Sequence, residues 1–150
     1  MSPSPRRAHQ DMVVEVVTRL RRQLTDGDGC KCSAHIEIDW RRRPNSVLRP
    51  DVFIVCPKLT TDFLEAAPAL IVEVLSPSTK FRDENVKRET YEQRGVGHYV
   101  MVDPDSGAVV ALSQDASGWK YREADRQDDG FVFELHDGYR VTLPATMTVS

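Results

Sequence analysis

The run Leu70-Ile71-Val72-Glu73-Val74-Leu75 sets one acid in the middle of a stretch that otherwise belongs out of water. Its β-branched and aliphatic members predict a buried strand, and strand alternation puts Glu73 on one face with Ile71 and Leu75. An ionised carboxylate taken out of water without a partner is costly. Glu73 must therefore be neutralised, hydrogen-bonded or held against a cation. Upstream, Arg49-Pro50-Asp51 opens a second apolar run, Val52-Phe53-Ile54-Val55. The proline sits at a strand entrance, where its missing N–H does least harm. Neighbouring strands lie about 5 Å apart, so an acid on each can share one divalent ion when the register brings them level. Two plainer readings stand beside this one: Pro-Asp is a common turn element, and a strand glutamate can be satisfied by an arginine.

After the acidic strand, Ser76-Pro77-Ser78-Thr79 reads as a turn, and the charged helix formers from Lys80 to Arg94, closed by Gly95, read as a helix. Asp83, Lys87 and Tyr91 recur at four-residue spacing and share one face. Asp83 and Lys87 could form an ordinary solvent-exposed pair. Alternatively, Lys87 reaches back over the sheet end toward the two acids, where an ammonium orients water and offsets charge on phosphate. Tyr91 is expected to pack against the sheet rather than touch substrate.

These residues, in this order, resemble a known family. Arg-Pro-Asp-Val, then Val72-Glu73-Val74-Leu75-Ser76-Pro77-Ser78-Thr79, then Asp83, Lys87 and Tyr91, then Gly95-Val96 and Tyr99-Val100-Met101-Val102-Asp103 look like the bacterial Uma2 family of restriction-endonuclease-like domains. The likeness runs from about His9 to Leu112, and the Ser-Pro-Ser-Thr turn is its most specific part. That family is placed in the PD-(D/E)xK nuclease superfamily. The resemblance implies an α/β (α+β) fold with a mixed central sheet flanked by helices. It also implies Asp51 and Glu73 as metal ligands and Lys87 as the catalytic lysine. The superfamily's lysine normally stands two residues after the strand acid, where this chain has Leu75, so the role is expected to have moved to Lys87. Relative to the family the chain is short at its amino end, and the sheet is expected to lack an edge there.

The residues and the resemblance together lead to the expectation of an endonuclease that hydrolyses DNA phosphodiesters. Asp51, Glu73 and the main-chain carbonyl of Val74 would hold Mg²⁺, with Mn²⁺ as a substitute. The alternative is an inactive nuclease-fold module that binds DNA or a protein partner. A net charge of -3 and a pI of 5.8 do not advertise nucleic-acid binding, but the basic residues are grouped. Arg19, Arg21 and Arg22 form one group and Arg41 to Arg43 another. Lys80, Arg82, Lys87 and Arg88 border the expected site. Lys80, Arg82, Arg88 and Arg42 are the candidate DNA contacts.

The 150 residues, 40% hydrophobic and 29% charged, suit one domain over 1–150. No run is long enough to span a bilayer, and the first ten residues lack the apolar core of a secretion signal. A cytoplasmic protein is expected, and an odd count of three cysteines argues against a disulfide scaffold. Cys30-Lys31-Cys32 with His35 and Cys56 matches no common zinc module, and Cys56 is expected to be an ordinary core cysteine. A homodimer would suit cleavage of two strands. No phosphate-cradling glycine loop is present, which disfavours nucleotide hydrolysis.

Apolar residues at Met12, Val13, Val16, Val17, Leu20 and Leu24 predict an amphipathic helix over 11–24 that covers the sheet. Alternation over 35–40 predicts a strand that pairs through an Arg41–Asn45 turn with 48–55. Glu37, on that strand, could supply a further ligand, but alternating acids of this kind more often mark a solvated face, and that is the expectation. The segment 62–69 is expected to be a linker with one helical turn. Strands are expected over 97–102, 108–112, 119–122, 131–135 and 139–143, the last three forming an antiparallel carboxy-terminal meander that extends the sheet or makes a dimer surface.

Overall fold

The computed structural model describes residues 6–24, 30–43, 46–76, 83–136 and 138–149. Helix α1 (Arg7–Leu24) starts four residues before the expected helix and buries Met12, Val13, Val16, Val17, Leu20 and Leu24, the six residues that the spacing singles out. Six strands form the main sheet: β1 (Ser33–Ile36), β4 (Val52–Val55), β5 (Leu70–Val74), β6 (His98–Val102), β7 (Val109–Gln114) and β8 (Tyr121–Glu123), in spatial order β1-β4-β5-β6-β7-β8. Only β5 and β6 run parallel, and between them lies the helical crossover that parallel strands require. That crossover holds a π-helical turn (Asp83–Lys87) running into the short helix α2 (Arg88–Gln93).

Alternation in the central strands sorts their side chains onto two faces. Val52, Ile54, Leu70, Val72, Val74, Val100 and Val102 face α1 and a second, three-stranded antiparallel sheet of β9 (Arg126–Gln127), β10 (Gly130–Glu134) and β11 (Arg140–Pro144). Phe53, Val55, Ile71, Leu75, Tyr99 and Met101 face Tyr91 of α2 together with Trp40 and Leu64. Burial on both faces explains why β4 and β5 read as near-continuous apolar runs. The carboxy-terminal strands thus form a sheet of their own, and only β8 extends the main one.

The hairpin expected across the arginines is broken in two. β1 stops at Ile36 because Glu37 takes a positive φ of 50°, which a ladder does not accommodate. β2 (Trp40–Arg43) and β3 (Ser46–Leu48) then pair apart from the main sheet, with Pro44 and Asn45 of the expected turn outside the described residues. The segment 62–69 has no helical turn; Leu64 instead bridges to Trp40.

The cysteines also differ from expectation. Cys32 and Cys56 form a disulfide, with Cys30 free and buried. The reason is register: Ser33 pairs with Val55, so the residues one step outward meet at the strand ends. This spends two of the thiols that a zinc site would need, and Cys56 lies just beyond β4 rather than within it.

Candidate active site

Antiparallel pairing of β4 with β5 matches Ile54 with Leu70, Phe53 with Ile71 and Val52 with Val72. One further step sets Asp51 opposite Glu73 at the carboxy-terminal end of β5. The two acids noted in the sequence are therefore brought level. Glu73 is 1% exposed, and its neighbours Ile71 and Leu75 share its face as alternation requires. Asp51 lies at the sheet's rim, where its Oδ2 accepts the Val74 N–H at 2.8 Å. This bond is the contact seen between Val74 and the acids, and it uses the amide, not the carbonyl.

The π-helical turn and helix α2 each supply one group to Glu73. Lys87 Nζ donates to Oε2 at 3.1 Å, and the Tyr91 hydroxyl donates to Oε1 at 2.9 Å. Their four-residue spacing makes this possible, since both leave the helix on one side. Lys87 ends the π-helical turn, a local widening of the helix often found at functional sites. Tyr91 packs as expected, stacked on Trp40 with centroids 6.4 Å apart and edge-on to Tyr99 at 5.1 Å. Its hydroxyl, however, is part of the polar centre, which spacing alone did not show.

The electrostatics follow from this geometry. Burial, and secondarily the Asp51 charge, push the Glu73 carboxyl from its ordinary 4.5 up to about 8, against the opposing pull of Lys87 and Tyr91. Burial and the Glu73 carboxylate push the Tyr91 hydroxyl far upward, so it remains a proton-bearing donor. Near neutral pH this is a carboxyl poised close to its own titration point, beside a second acid and an ammonium.

One neighbour was missed in the sequence. His9, in the first turn of α1, brings Nε2 to 3.5 Å from Asp51 Oδ2. The hydrogen bond to Asp51 raises its pKa although burial opposes this. A lone histidine in a helix carries no spacing signal, and only the packing of α1 across β4 and β5 delivers it. Its Nδ1 is buried without a hydrogen-bond partner among the described residues. Glu37 is exposed, as expected, although its N–H donates to the Asp51 carbonyl at 3.3 Å.

Arg88 is exposed on α2 beside the site. Lys80 and Arg82, and the side chains of Asp83 and Arg42, lie outside the described residues. Arg21, exposed on α1, donates its Nε–H to the Ala34 carbonyl at 3.0 Å and ties α1 to β1. Among the described residues, no three His, Cys, Asp or Glu side chains converge as a ready-made metal cage. No described helix is long and apolar enough to cross a membrane.

A mixed sheet flanked by helices is a nuclease-like fold, and a solved structure shares it. It is the crystal structure of a putative nuclease belonging to DUF820 from Anabaena variabilis, similar with a TM-score of 0.64 at 16% identity. The match covers 85% of this chain and 73% of that one. A family model described as "Uma2: Putative restriction endonuclease" matches residues 1–146, and the chain belongs to the Uma2 family. No curated protein matches the sequence.

Proposed function

We propose that this protein is a divalent-metal-dependent endonuclease acting on DNA, a single nuclease domain over residues 1–150. The observation that supports it most is the meeting of Asp51, Glu73 and Lys87 at the end of β5. The donor set fits a hard cation. Two level carboxylates, one of them pushed up to about 8 by burial and by the other, form a place where positive charge is favoured. Two acids rather than a closed cage suit Mg²⁺, which keeps several waters and is bound through one or two carboxylates plus phosphate oxygens. Asp51 and Glu73 would hold it, with Mn²⁺ able to replace it.

When bound, such a cation supplies charge stabilisation to a phosphodiester oxygen. The chain's own groups do the rest. Lys87, with about a third of its side chain exposed, can keep its contact with Glu73 and still meet water or a phosphate oxygen at the rim. The Val74 N–H and His9 fix the Asp51 carboxylate from the sheet side and the helix side. Arg88, and with it Lys80, Arg82 and Arg42, are assigned to the phosphate backbone, where lysine and arginine contribute affinity rather than sequence choice. A homodimer would place two such centres on two strands.

The test is cleavage of supercoiled and linear DNA with and without Mg²⁺ or Mn²⁺. Asp51→Ala and Glu73→Ala should each abolish divalent-dependent cutting with the far-UV circular dichroism unchanged. If either variant cuts like the parent, the assignment is wrong. Salt-sensitive DNA binding by a parent that never cuts would identify a binding module instead.

A further inference from the structure

Each acid of the proposed ion site has one oxygen held by a group that is fixed in place by the fold. Asp51 Oδ2 accepts the Val74 N–H at 2.8 Å and lies 3.5 Å from His9 Nε2. Glu73 Oε1 accepts the Tyr91 hydroxyl at 2.9 Å. The Tyr91 ring is 1% exposed and held between Trp40 and Tyr99, so its hydroxyl cannot follow a carboxylate that rotates. Glu73 Oε2 accepts Lys87 Nζ at 3.1 Å, but that side chain is long and about a third exposed and can shift aside, so Oε2 rather than Oε1 is the oxygen offered to an ion.

We infer that Tyr91 is a positioning residue that keeps Glu73 monodentate, and so makes the site select a small octahedral cation over Ca²⁺. This rests on the reading that Asp51 and Glu73 hold a divalent ion. Mg²⁺ and Mn²⁺ accept single oxygens from a few carboxylates and fill the remaining positions with water. Ca²⁺ takes six to eight oxygens and readily uses a carboxylate edge-on. Removing the Tyr91 hydroxyl frees Oε1, which weakens the preorganised site for the smaller ion and lets Glu73 turn both oxygens toward the larger one. Groups that hydrogen-bond a metal-binding side chain in this way typically change metal affinity by 10–100-fold.

The experiment is calorimetric titration of the full chain with MnCl₂ and, separately, CaCl₂. The parent should bind one Mn²⁺ more tightly than Ca²⁺. Tyr91→Phe keeps the ring between Trp40 and Tyr99, and should bind Mn²⁺ about tenfold more weakly and narrow the Mn²⁺/Ca²⁺ preference by about as much. Tyr121→Phe is the control: it removes another buried hydroxyl from the same aromatic cluster, one that donates to the Val96 carbonyl at 2.8 Å. It should leave both affinities and their ratio unchanged, since a purely structural loss does not move selectivity. If Tyr91→Phe keeps the parental ratio while Glu73→Gln loses the ion, the positioning role is overturned and the ion site stands. If the parent binds no Mn²⁺, or Glu73→Gln binds it like the parent, the ion site is overturned and the inference with it.

Discussion

Glu73→Gln should stabilise the protein at neutral pH while abolishing the proposed cleavage, and the gain should grow with pH. Glu73 is fully buried, and its carboxyl is pushed from 4.5 up to about 8, chiefly by burial and next by Asp51. Between those two values the folded chain keeps a proton on Glu73 that the unfolded chain has released. Folded stability therefore falls as pH rises through this window, the reverse of the usual paired carboxylate. At about 1.4 kcal/mol per unit, the gap between 4.5 and pH 7 corresponds to roughly 3 kcal/mol forgone at pH 7. Glutamine retains an acceptor for the Tyr91 hydroxyl and carries no charge at any pH, so the variant escapes this loss. The assay is urea unfolding of parent and variant, in metal-free buffer, at half-unit steps from pH 4.5 to 8. The stability difference should be near zero at the acid end and reach about 3 kcal/mol at pH 7. A difference that does not depend on pH, or a variant less stable than the parent at pH 7, would refute the buried-acid account.

Two other perturbations probe the same frame. Lys87→Met removes the ammonium 3.1 Å from Glu73 Oε2, so cleavage should drop by about 100-fold or more and the Glu73 carboxyl should move further up. A pH-dependent loss of stability reaching to higher pH than in the parent would show the second effect; an unshifted profile would argue against the contact. Cys56→Ser opens a link between residues 24 apart in sequence, which should cost about 3 kcal/mol on the chain-entropy account. Because Ser33 pairs with Val55 and Ile36 with Val52, the link lies at the far end of β4 from Asp51, and activity should survive. Thermal unfolding of the parent with and without reductant should reproduce the drop, and coincident melts would contradict it.

Much of this arrangement was legible in the residues. Glu73 announced itself because it is charged in a run that has no other reason to be wet, and the structure buries every member of β5. The four-residue spacing of Lys87 and Tyr91 survived because helical periodicity is local, holding even across the switch from a π-helical turn to α2. The α1 stripe and the strands His98–Val102 and Val109–Gln114 followed the same logic of period and burial. The single strand expected over 35–40 failed on one dihedral, the positive φ of Glu37, which no pattern of apolar residues encodes.

What the chain determines by itself is which residues must leave water and with what period, because burial and backbone sterics act within a few positions of each residue. What tertiary structure alone decides is which distant groups then meet: the β4–β5 register that levels Asp51 with Glu73, the lay of α1 that delivers His9, the Cys32–Cys56 bond, and the separate carboxy-terminal sheet. These depend on how elements far apart in sequence settle against one another, and a one-residue change of register would turn the same acids to opposite faces.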